Sequence, residues 1–148
     1  MLVKEIMNRN VVTVRGGATL AEVAEVMLSR GINGLPVIDP DGRVVGMIGI
    51  RDVLRVPTPS RSDMPILRWA KLEEKAADLA STVVDKVMAR RVISVGEDAD
   101  VIEVAGLMAN RGVHPIPVLR DGRLVGIVSR ADVVRVLLAM SQATHPAK

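Results

Sequence analysis

The sequence predicts a mixed α/β (α+β) protein that contains two copies of one β-α-β-β-α unit. Residues 30–54 and 111–134 are nearly the same, RGINGLPVIDPDGRVVGMIGIRDVL and RGVHPIPVLRDGRLVGIVSRADVV. The similarity extends upstream to Met7 and Met88, an offset of 81 residues (88 − 7), and the offset falls to 80 (126 − 46) because Pro40 has no counterpart. A repeat of this length indicates two copies of one structural unit, expected to pair about a pseudo-twofold axis. Any site at their seam would then occur twice.

Each copy begins with one helical turn, over 3–7 and 84–88, followed by a short β-branched strand, over 11–14 and 92–95. A helix comes next, because apolar residues recur at the i, i+3, i+4, i+7 spacing of one helix face. These residues are Leu20, Val23, Ala24 and Met27 in the first copy and Val101, Val104, Ala105 and Met108 in the second. Thr19 and Asp100 are the expected N-caps. Gly31 and Gly112 stand where a helix end needs a left-handed residue.

A hairpin and a second helix complete each copy. The predicted strands are 35–39 and 43–49, joined through Pro40-Asp41-Gly42, and 116–120 and 123–129, joined through Asp121-Gly122. Asp-Gly between two apolar runs is a strong hairpin signal. The second helix begins near Asp52 and near Asp132, and the later one runs toward Met140.

The predicted organisation is copy 1 over 1–56, a linker over 57–81, copy 2 over 82–140 and a tail over 141–148 that frays. Independent stability is marginal for a copy of roughly 55 residues, so we expect the two copies to share one core. In the linker, Pro57, Pro59 and the serines up to 62 predict a loop. Residues 64–81 predict a helix with a solvated charged face, anchored by Trp69, and partner docking is its alternative role.

Composition excludes several classes of site. There is no cysteine, which excludes disulfides, thiol catalysis and thiolate metal ligands, and two histidines make a His-rich zinc site unexpected. Phe and Tyr are absent, unlike proteins that stack single-stranded bases on aromatic rings. The net charge of +3 suits an anionic partner or simply keeps the chain in solution. We expect neither a signal peptide nor a membrane span, and hence a cytoplasmic protein.

A Gly-x-x-Ser-x-x-Asp motif is complete in the second copy, as Gly126, Ser129 and Asp132. It lies where a strand passes into the N-terminus of a helix, and free backbone N–H groups and the helix dipole favour anions there. The Ser129 hydroxyl could donate to a phosphate oxygen, and the two Asp132 oxygens could accept two ribose hydroxyls. Alternatively, Ser129 and Asp132 only cap the helix. The sequence leaves both interpretations open.

The ordered set of motifs resembles the tandem CBS (cystathionine-β-synthase) domain pair, called a Bateman module. The resemblance covers residues 1–56 and 82–140 and is carried by Ile6-Met7 and Val87-Met88, by Gly-x-x-x-Leu/Ile-Pro-Val and by Asp-Gly-Arg-x-Val-Gly. It implies two units packed through their sheets, with two clefts at the seam. Family members commonly bind AMP, ADP or ATP there, and sometimes S-adenosylmethionine, NAD-type ligands or dinucleotides.

The resemblance also assigns roles in the second copy. Asp132 matches the ribose-binding acid, Ser129 the hydroxyl near the phosphate, and Ser94 a polar position in the cleft. His114 matches a position that is often basic and contacts phosphate, although a half-buried histidine beside a proline is equally compatible with the sequence. Ile116 and Pro117 would line the base pocket with apolar atoms and backbone groups. The predicted set is completed by Pro115 and Arg130.

The first copy departs from the pattern. Its candidate set is Thr13, Asn33, Leu35, Pro36 and Asp52. Asp52 matches Asp132, but Gly49 replaces Ser129 and Asn33 replaces His114. Losing one hydrogen bond to a charged group costs about 1.5–3 kcal/mol, or about tenfold to a hundredfold in affinity. Arg51 could compensate through a phosphate contact or point to solvent. We therefore predict two unequal sites, with the stronger one at Asp132.

These features favour a regulatory module over an enzyme. The sequence shows no nucleophile–base pair and no P-loop, and a single carboxylate per cleft has no partner for acid–base chemistry. We expect no metal and no required cofactor, an adenosine nucleotide (AMP, ADP or ATP) as ligand, and an unknown regulated protein as partner. The last helix is more apolar than one helix face requires, and the resemblance implies that this surface forms a homodimer. The alternative is a ligand-free scaffold with vestigial clefts, and a nucleic-acid role ranks third.

Overall fold

In the computed structural model, residues 1–56, 60–62 and 64–145 are described, so the loop predicted at Pro57 and Pro59 and the end of the tail lie outside them. The described residues form two three-stranded sheets and five α-helices. Each copy has the predicted β-α-β-β-α order, and the mixed α+β fold class is confirmed.

The elements follow the chain in a simple order. The first copy contains β1 Val14–Arg15, α1 Leu20–Arg30, β2 Gly34–Ile38, β3 Val44–Gly49 and α2 Ile50–Leu54. The linker contains α3 Pro65–Ser81. The second copy contains β4 Val95–Gly96, α4 Val101–Arg111, β5 Ile116–Arg120, β6 Arg123–Val128 and α5 Arg130–Thr144. Each copy begins with a 3-10 turn, at Val3–Glu5 and Val84–Lys86.

The residues predicted to begin and end helices α1 and α4 do so. The Thr19 hydroxyl accepts from the Glu22 N–H at 3.2 Å, and the Asp100 carboxylate accepts from the Ile102 N–H at 3.0 Å, so both residues cap their helices. Gly31 and Gly112 close those helices at φ 63° and 64°, the left-handed region in which a side chain is disfavoured.

Two boundaries differ from the prediction. The strands predicted over 11–14 and 92–95 are only the two-residue strands β1 and β4, because ladder pairing begins at Val14↔Val37 and Val95↔Val118. A β-branched run becomes a strand only where a neighbour pairs with it. At the other end, residues 141–144, expected to fray, belong to α5, and the His145 N–H still donates to the Ser141 carbonyl at 2.9 Å.

The chain divides into two compact units, each of which contains segments from both copies. The Ser129 unit consists of Met1–Val12, Asp41–Val44 and Arg91–Lys148. The Gly49 unit consists of Thr13–Pro40 and Val45–Arg90. The lead of each copy, the segment before its first strand, therefore belongs to the unit that holds the other copy's helices and sheet.

The expectation of one shared core is wrong, since each unit has its own. Val3 and Met7, from the lead of copy 1, pack in the core of the Ser129 unit with Val104. Val84 and Met88, from the lead of copy 2, pack in the core of the Gly49 unit. Each copy is too small to bury a generous core alone, and the exchanged lead adds two buried side chains to it.

The methionine in each lead explains why a glycine stands at positions 46 and 126. A Cβ atom on Gly126 would overlap the sulfur of Met7, and one on Gly46 would overlap the sulfur of Met88. Next to Met7, Asn8 pairs with Ile127 near the end of β6. Its N–H donates to the Ile127 carbonyl at 2.9 Å, and the Ile127 N–H donates back at 3.0 Å. The lead therefore lies beside the strand that ends at the Ser129 motif.

The linker helix α3 is present, but its predicted anchor is wrong. Trp69 is 62% exposed, and its indole N–H donates to Glu73 Oε1 of the same helix at 2.7 Å. The helix is anchored instead by Leu79, which lies more than two turns after Trp69 and packs against the core of the Gly49 unit. Among the described residues, no helix is long and apolar enough to cross a membrane.

Candidate functional site

Strand register gathers the candidate residues of the second copy at one sheet edge. Strand β4 runs parallel to β5, with Val95 beside Val118, and β5 runs antiparallel to β6, with Ile116 beside Val128. The starts of β4 and β5 and the end of β6 therefore share an edge. Ser94 directly precedes β4, Ser129 directly follows β6, and His114 lies two residues before β5. Three positions distant in sequence therefore lie at one edge.

The Gly49 unit repeats this arrangement. Strand β1 is parallel to β2, and β2 neighbours β3 in the sheet. The Ile50 N–H donates to the Asn33 carbonyl at 2.8 Å, which places the residue before β2 against the start of α2. Thr13 precedes β1 at the same edge.

Polar and apolar candidates differ in accessibility. Leu35 and Ile116 have no exposed surface and belong to the two hydrophobic cores. Pro36 and Pro117 are buried as well. A ligand at the edge would meet the backbone of these residues, whereas Asn33 and His114 are exposed and Pro115 is half-buried. The accessible side chains at both edges are thus mainly polar.

Ser129 and Asp132 form a reciprocal cap at the start of α5. The Ser129 hydroxyl accepts from the Asp132 N–H at 3.2 Å and donates to Asp132 Oδ2 at 2.9 Å. Asp132 Oδ2 also accepts from the Ser129 N–H at 2.8 Å. The capping interpretation of the motif is therefore real in this structure. Both cap bonds go to Asp132 Oδ2, so Oδ1 is the carboxylate oxygen that takes no part in the cap.

The corresponding cap of the first copy is half of this arrangement. The Gly49 N–H donates to Asp52 Oδ2 at 2.8 Å, as in the second copy. Without a hydroxyl at Gly49, the Asp52 carboxylate loses one donor and the helix start loses one acceptor. The geometry of the carboxylate is retained, while the hydroxyl that could also face a phosphate is absent.

Sequence reasoning missed an arginine in each site. Arg135 Nη1 donates to Asp132 Oδ1 at 3.1 Å, and Arg55 Nη2 donates to Asp52 Oδ1 at 3.3 Å. Both carboxylates are about four-fifths buried, but both arginine side chains are largely exposed. The signal was present in the repeat, because both copies have arginine three residues after the aspartate.

The second missed contribution comes from the exchanged lead. Asn8 lies beside Ile127, two residues before Ser129, and Ala89 lies beside Met47, two residues before Gly49. Arg9 follows Asn8, and its guanidinium donates to the Lys4 carbonyl at 3.3 Å. Each site therefore has a neighbour from the other copy's lead. That neighbour is polar at the Ser129 edge and apolar at the Gly49 edge.

Charges at the opposite edge of the sheet in the Ser129 unit pair with one another. Arg120 donates to both carboxylate oxygens of Glu97 at 2.8 Å, and this hydrogen bonding lowers the pKa of Glu97 and raises that of Arg120. Lys4 donates to Asp98 at 2.8 Å, which raises the pKa of Lys4. These ion pairs stabilise the edge away from the motif and have no evident part in ligand binding.

One cavity of the protein lies away from the motif. It has a volume of about 360 Å³ and lies in the Gly49 unit beside Arg15, Gly16, Asp39 and Asp85, at the far ends of β1 and β2. Its lining includes the carboxylates of Asp39 and Asp85 but no side-chain hydroxyl. The candidate sites therefore rest on the motif and the strand register. Within the described residues, no cluster of three or more His, Asp or Glu could hold a metal ion.

Known proteins are similar to this chain in sequence and in fold. The profile of the CBS domain matches residues 3–58 and 84–139. A CBS domain-containing protein of Dictyostelium discoideum is 31% identical, over 99% of this chain and 97% of that protein. The CBS domain pair of protein MJ0100, solved with 5′-methylthioadenosine and S-adenosyl-L-methionine, is 28% identical, with a TM-score of 0.72 over 95% of this chain and 98% of that one.

A further solved structure is CBSX2, an Arabidopsis thaliana CBS-pair protein, in complex with AMP. It is 25% identical to this chain, with a TM-score of 0.75 over 94% of this chain and 97% of that one. Sequence profile, sequence relatives and fold agree over both copies. The protein belongs to the CBS domain family and carries the domain twice, once in each repeat.

Proposed function

We propose that the protein is a regulatory module that binds an adenosine nucleotide, of the AMP, ADP or ATP class, and signals to a partner protein. The observation that carries the proposal is the Ser129–Asp132 pair at the sheet edge of the Ser129 unit. Asp132 presents Oδ1 to a ribose hydroxyl, and Ser129 lies at a helix start, where backbone N–H groups favour a phosphate. Related CBS pairs solved with AMP or with S-adenosylmethionine support this ligand class.

The proposal includes the finer assignments. Ser94, His114 and Arg130 face the phosphate side of the ligand, and the backbone at Ile116 and Pro117 faces the base. The domain boundaries are those drawn from the sequence, with CBS repeats over 1–56 and 82–140. We place the protein in the cytoplasm as a homodimer that acts without chemistry of its own. A ligand can shift its state only through a difference in affinity between two conformations.

A second function, a ligand-free scaffold, is favoured by one observation. Asp132 and Asp52 are already satisfied by their helix caps and by Arg135 and Arg55. A vestigial site would keep these bonds for helix stability alone. In that case the edge would bind no nucleotide, and only the interaction surfaces of the helices would matter.

Thermal unfolding in the presence of a ligand panel separates the two functions. The panel contains AMP, ADP, ATP, S-adenosylmethionine and 5′-methylthioadenosine, with GMP as a matched purine control. At about a hundred times its dissociation constant, a ligand adds about 2.7 kcal/mol of stability, a shift of several degrees. We expect this from at least one adenosine compound and a smaller shift from GMP. No shift from any adenosine compound would establish the scaffold instead.

A further inference from the structure

The cavity at the far ends of β1 and β2 in the Gly49 unit is large enough for a small organic ligand. Its volume is about 360 Å³, and small-molecule pockets in proteins have volumes of about 300 Å³ or more. One wall of the cavity is apolar and consists of Ile38, Pro40 and Val45. The charged lining consists of the Asp39 and Asp85 carboxylates and the Arg15 guanidinium, so negative charge is in excess. A cavity of this composition favours a cation that also has an apolar part.

The Asp85 carboxylate is the group in this lining that needs a partner. Its Oδ1 atom is buried and has no hydrogen-bond partner within the described part of the chain. It lies against Gly16, where an added Cβ would come 2.6 Å from this oxygen. A buried carboxylate oxygen without a donor is costly, and most buried polar atoms in proteins are hydrogen-bonded. A ligand in the cavity that donates to Asp85 would offset this cost.

In the Ser129 unit, the equivalent end of the sheet carries two ion pairs, and their charges indicate the ligand. The basic members of these pairs, Lys4 and Arg120, align in the repeat with Asp85 and Asp39. The acidic members align with the two neighbouring glycines, Gly16-Gly17, which line the cavity. The Gly49 unit therefore has acids where its repeat equivalent has bases, and glycines where its equivalent has acids. The group that would complete the reversed pair at Asp85 is a cation, and the cavity beside the glycines gives it room.

We propose that this cavity binds the ammonium group of an alkylamine, with the Asp85 carboxylate as its hydrogen-bond acceptor. Such a bond is charge-assisted and stronger than a bond between neutral groups. The alkyl part of the ligand packs against the apolar wall, and Asp39 adds negative charge to the site. Arg15 is exposed, so its guanidinium stays hydrated and opposes the bound cation only weakly. The cavity lies at the other end of the sheet from Gly49, and the proposal does not depend on nucleotide binding.

Nuclear magnetic resonance titration of the full chain tests the site with n-butylammonium, and n-butanol serves as the neutral probe of similar size. We expect n-butylammonium to shift the Gly16 and Gly17 amide signals in a saturable way, and n-butanol to leave them unchanged. Potassium chloride at the same ionic strength controls for screening. Nα-acetyl-lysine amide is titrated in parallel to identify the source of the alkylammonium group. Tighter binding of this compound than of n-butylammonium indicates a lysine side chain of another polypeptide, and weaker binding indicates a free amine.

Three variants locate the binding within the cavity. Asp85→Asn should weaken n-butylammonium binding about tenfold to a hundredfold, because it removes the charge from the hydrogen-bond acceptor. Asp78→Asn is the matched control, since it removes the same charge from an exposed position of α3 outside the cavity, and its affinity should equal that of the wild type. Gly17→Leu should abolish binding by filling the cavity, and the fold accepts it because a Cβ on Gly17 would meet no atom within 4 Å. Unchanged affinity in Asp85→Asn, an equal response to n-butanol, or no saturable shift in the wild type would overturn the proposal.

Discussion

The two sheet edges have the same backbone and different chemistry. In both units a strand passes into a helix whose third residue, Asp52 or Asp132, accepts from the backbone N–H of the cap residue at 2.8 Å. Only the Ser129 edge adds a hydroxyl to this arrangement. The residues that form the helix start are therefore present in both copies, whereas a hydroxyl on the cap residue is present only in the second copy.

This difference separates structural from ligand-binding roles within one motif. An aspartate at the third position of a helix stabilises the helix start through the backbone alone, so its presence in both copies needs no ligand. A hydroxyl adds little to a cap that glycine also tolerates, about a few tenths of a kcal/mol. The Ser129 hydroxyl therefore adds little to the stability of α5, and under the proposed function its main role would be to contact the ligand.

The strongest test of the comparison removes the carboxylate at each edge in turn. Asp132→Ala should weaken AMP binding by about tenfold to a hundredfold, because it deletes hydrogen bonds between a charged group and the ribose. Asp52→Ala should leave the affinity of the tighter AMP site unchanged. Isothermal titration calorimetry measures both.

Both substitutions remove a helix cap, so each variant must first be shown to remain folded at the titration temperature by circular dichroism. The paired design supplies the control, since each aspartate accepts from the backbone N–H of its cap residue at 2.8 Å. Equal losses of affinity, or a larger loss for Asp52→Ala, would contradict the assignment of the stronger site to Asp132.

A gain of function at the weaker edge is the next largest effect. Gly49→Ser should raise affinity at the Gly49 edge about tenfold, by restoring a hydroxyl that bonds to Asp52 and to phosphate. The position accepts a side chain. Its φ of −116° suits any residue, and a Cβ there would lie 3.7 Å from the Asn33 carbonyl oxygen and from Asp52 Oδ2.

Gly49→Ala is the matched control, since it adds the Cβ without the hydroxyl. Calorimetry should then resolve two sites of similar affinity in Gly49→Ser and unequal sites in Gly49→Ala. If serine and alanine behave alike, the missing hydroxyl is not what distinguishes the two edges.

Sequence alone was sufficient where structure is decided within a few residues. Thr19, Gly31 and the Asp121-Gly122 turn specify their conformations locally, and the turn residues have φ 51° and 78° as a two-residue hairpin requires. The gathering of Ser94, His114 and Ser129 was implied only by resemblance. It follows physically from strand register, which a single sequence does not encode directly.

Long-range features escaped prediction for a related reason. The sequence shows that Met7 and Met88 are equivalent, but not that each packs in the core with the other copy's helices. Trp69 was expected to anchor α3, yet it is largely exposed and its indole N–H bonds to Glu73 of the same helix. Arg55 and Arg135 were visible in the repeat, but only side-chain geometry shows that they bond to the aspartates.

These arginines give a smaller effect, because each competes with the ligand for the same oxygen. Arg135 occupies Asp132 Oδ1 with an exposed side chain, and an exposed ion pair contributes about 0–1 kcal/mol. Arg135→Met should therefore tighten AMP binding by up to about fivefold in calorimetry. Arg55→Met should change the affinity of the tighter AMP site less than Arg135→Met does. Weaker binding by Arg135→Met would show instead that this guanidinium contacts the phosphate.

The smallest effect concerns the opposite edge, where the units also differ in charge. The Ser129 unit has the ion pairs of Glu97 with Arg120 and of Lys4 with Asp98, and the Gly49 unit has Gly16 and Gly17 at the positions of the two acids. Arg120→Met should lower the melting temperature slightly at pH 7, since exposed ion pairs contribute little.

The pH dependence of this loss follows from the direction of the pKa shift. Arg120 holds the pKa of Glu97 below its ordinary value, so folding is favoured by the pair at any pH above the unfolded pKa. As the pH falls through the lowered folded pKa, Glu97 takes up a proton in both states and the contribution disappears. Circular dichroism melts from pH 7 to strong acid should therefore converge for wild type and Arg120→Met. A double-mutant cycle with Glu97→Gln isolates the pair, and a difference that persists in acid would assign the effect to the packing of the Arg120 stem.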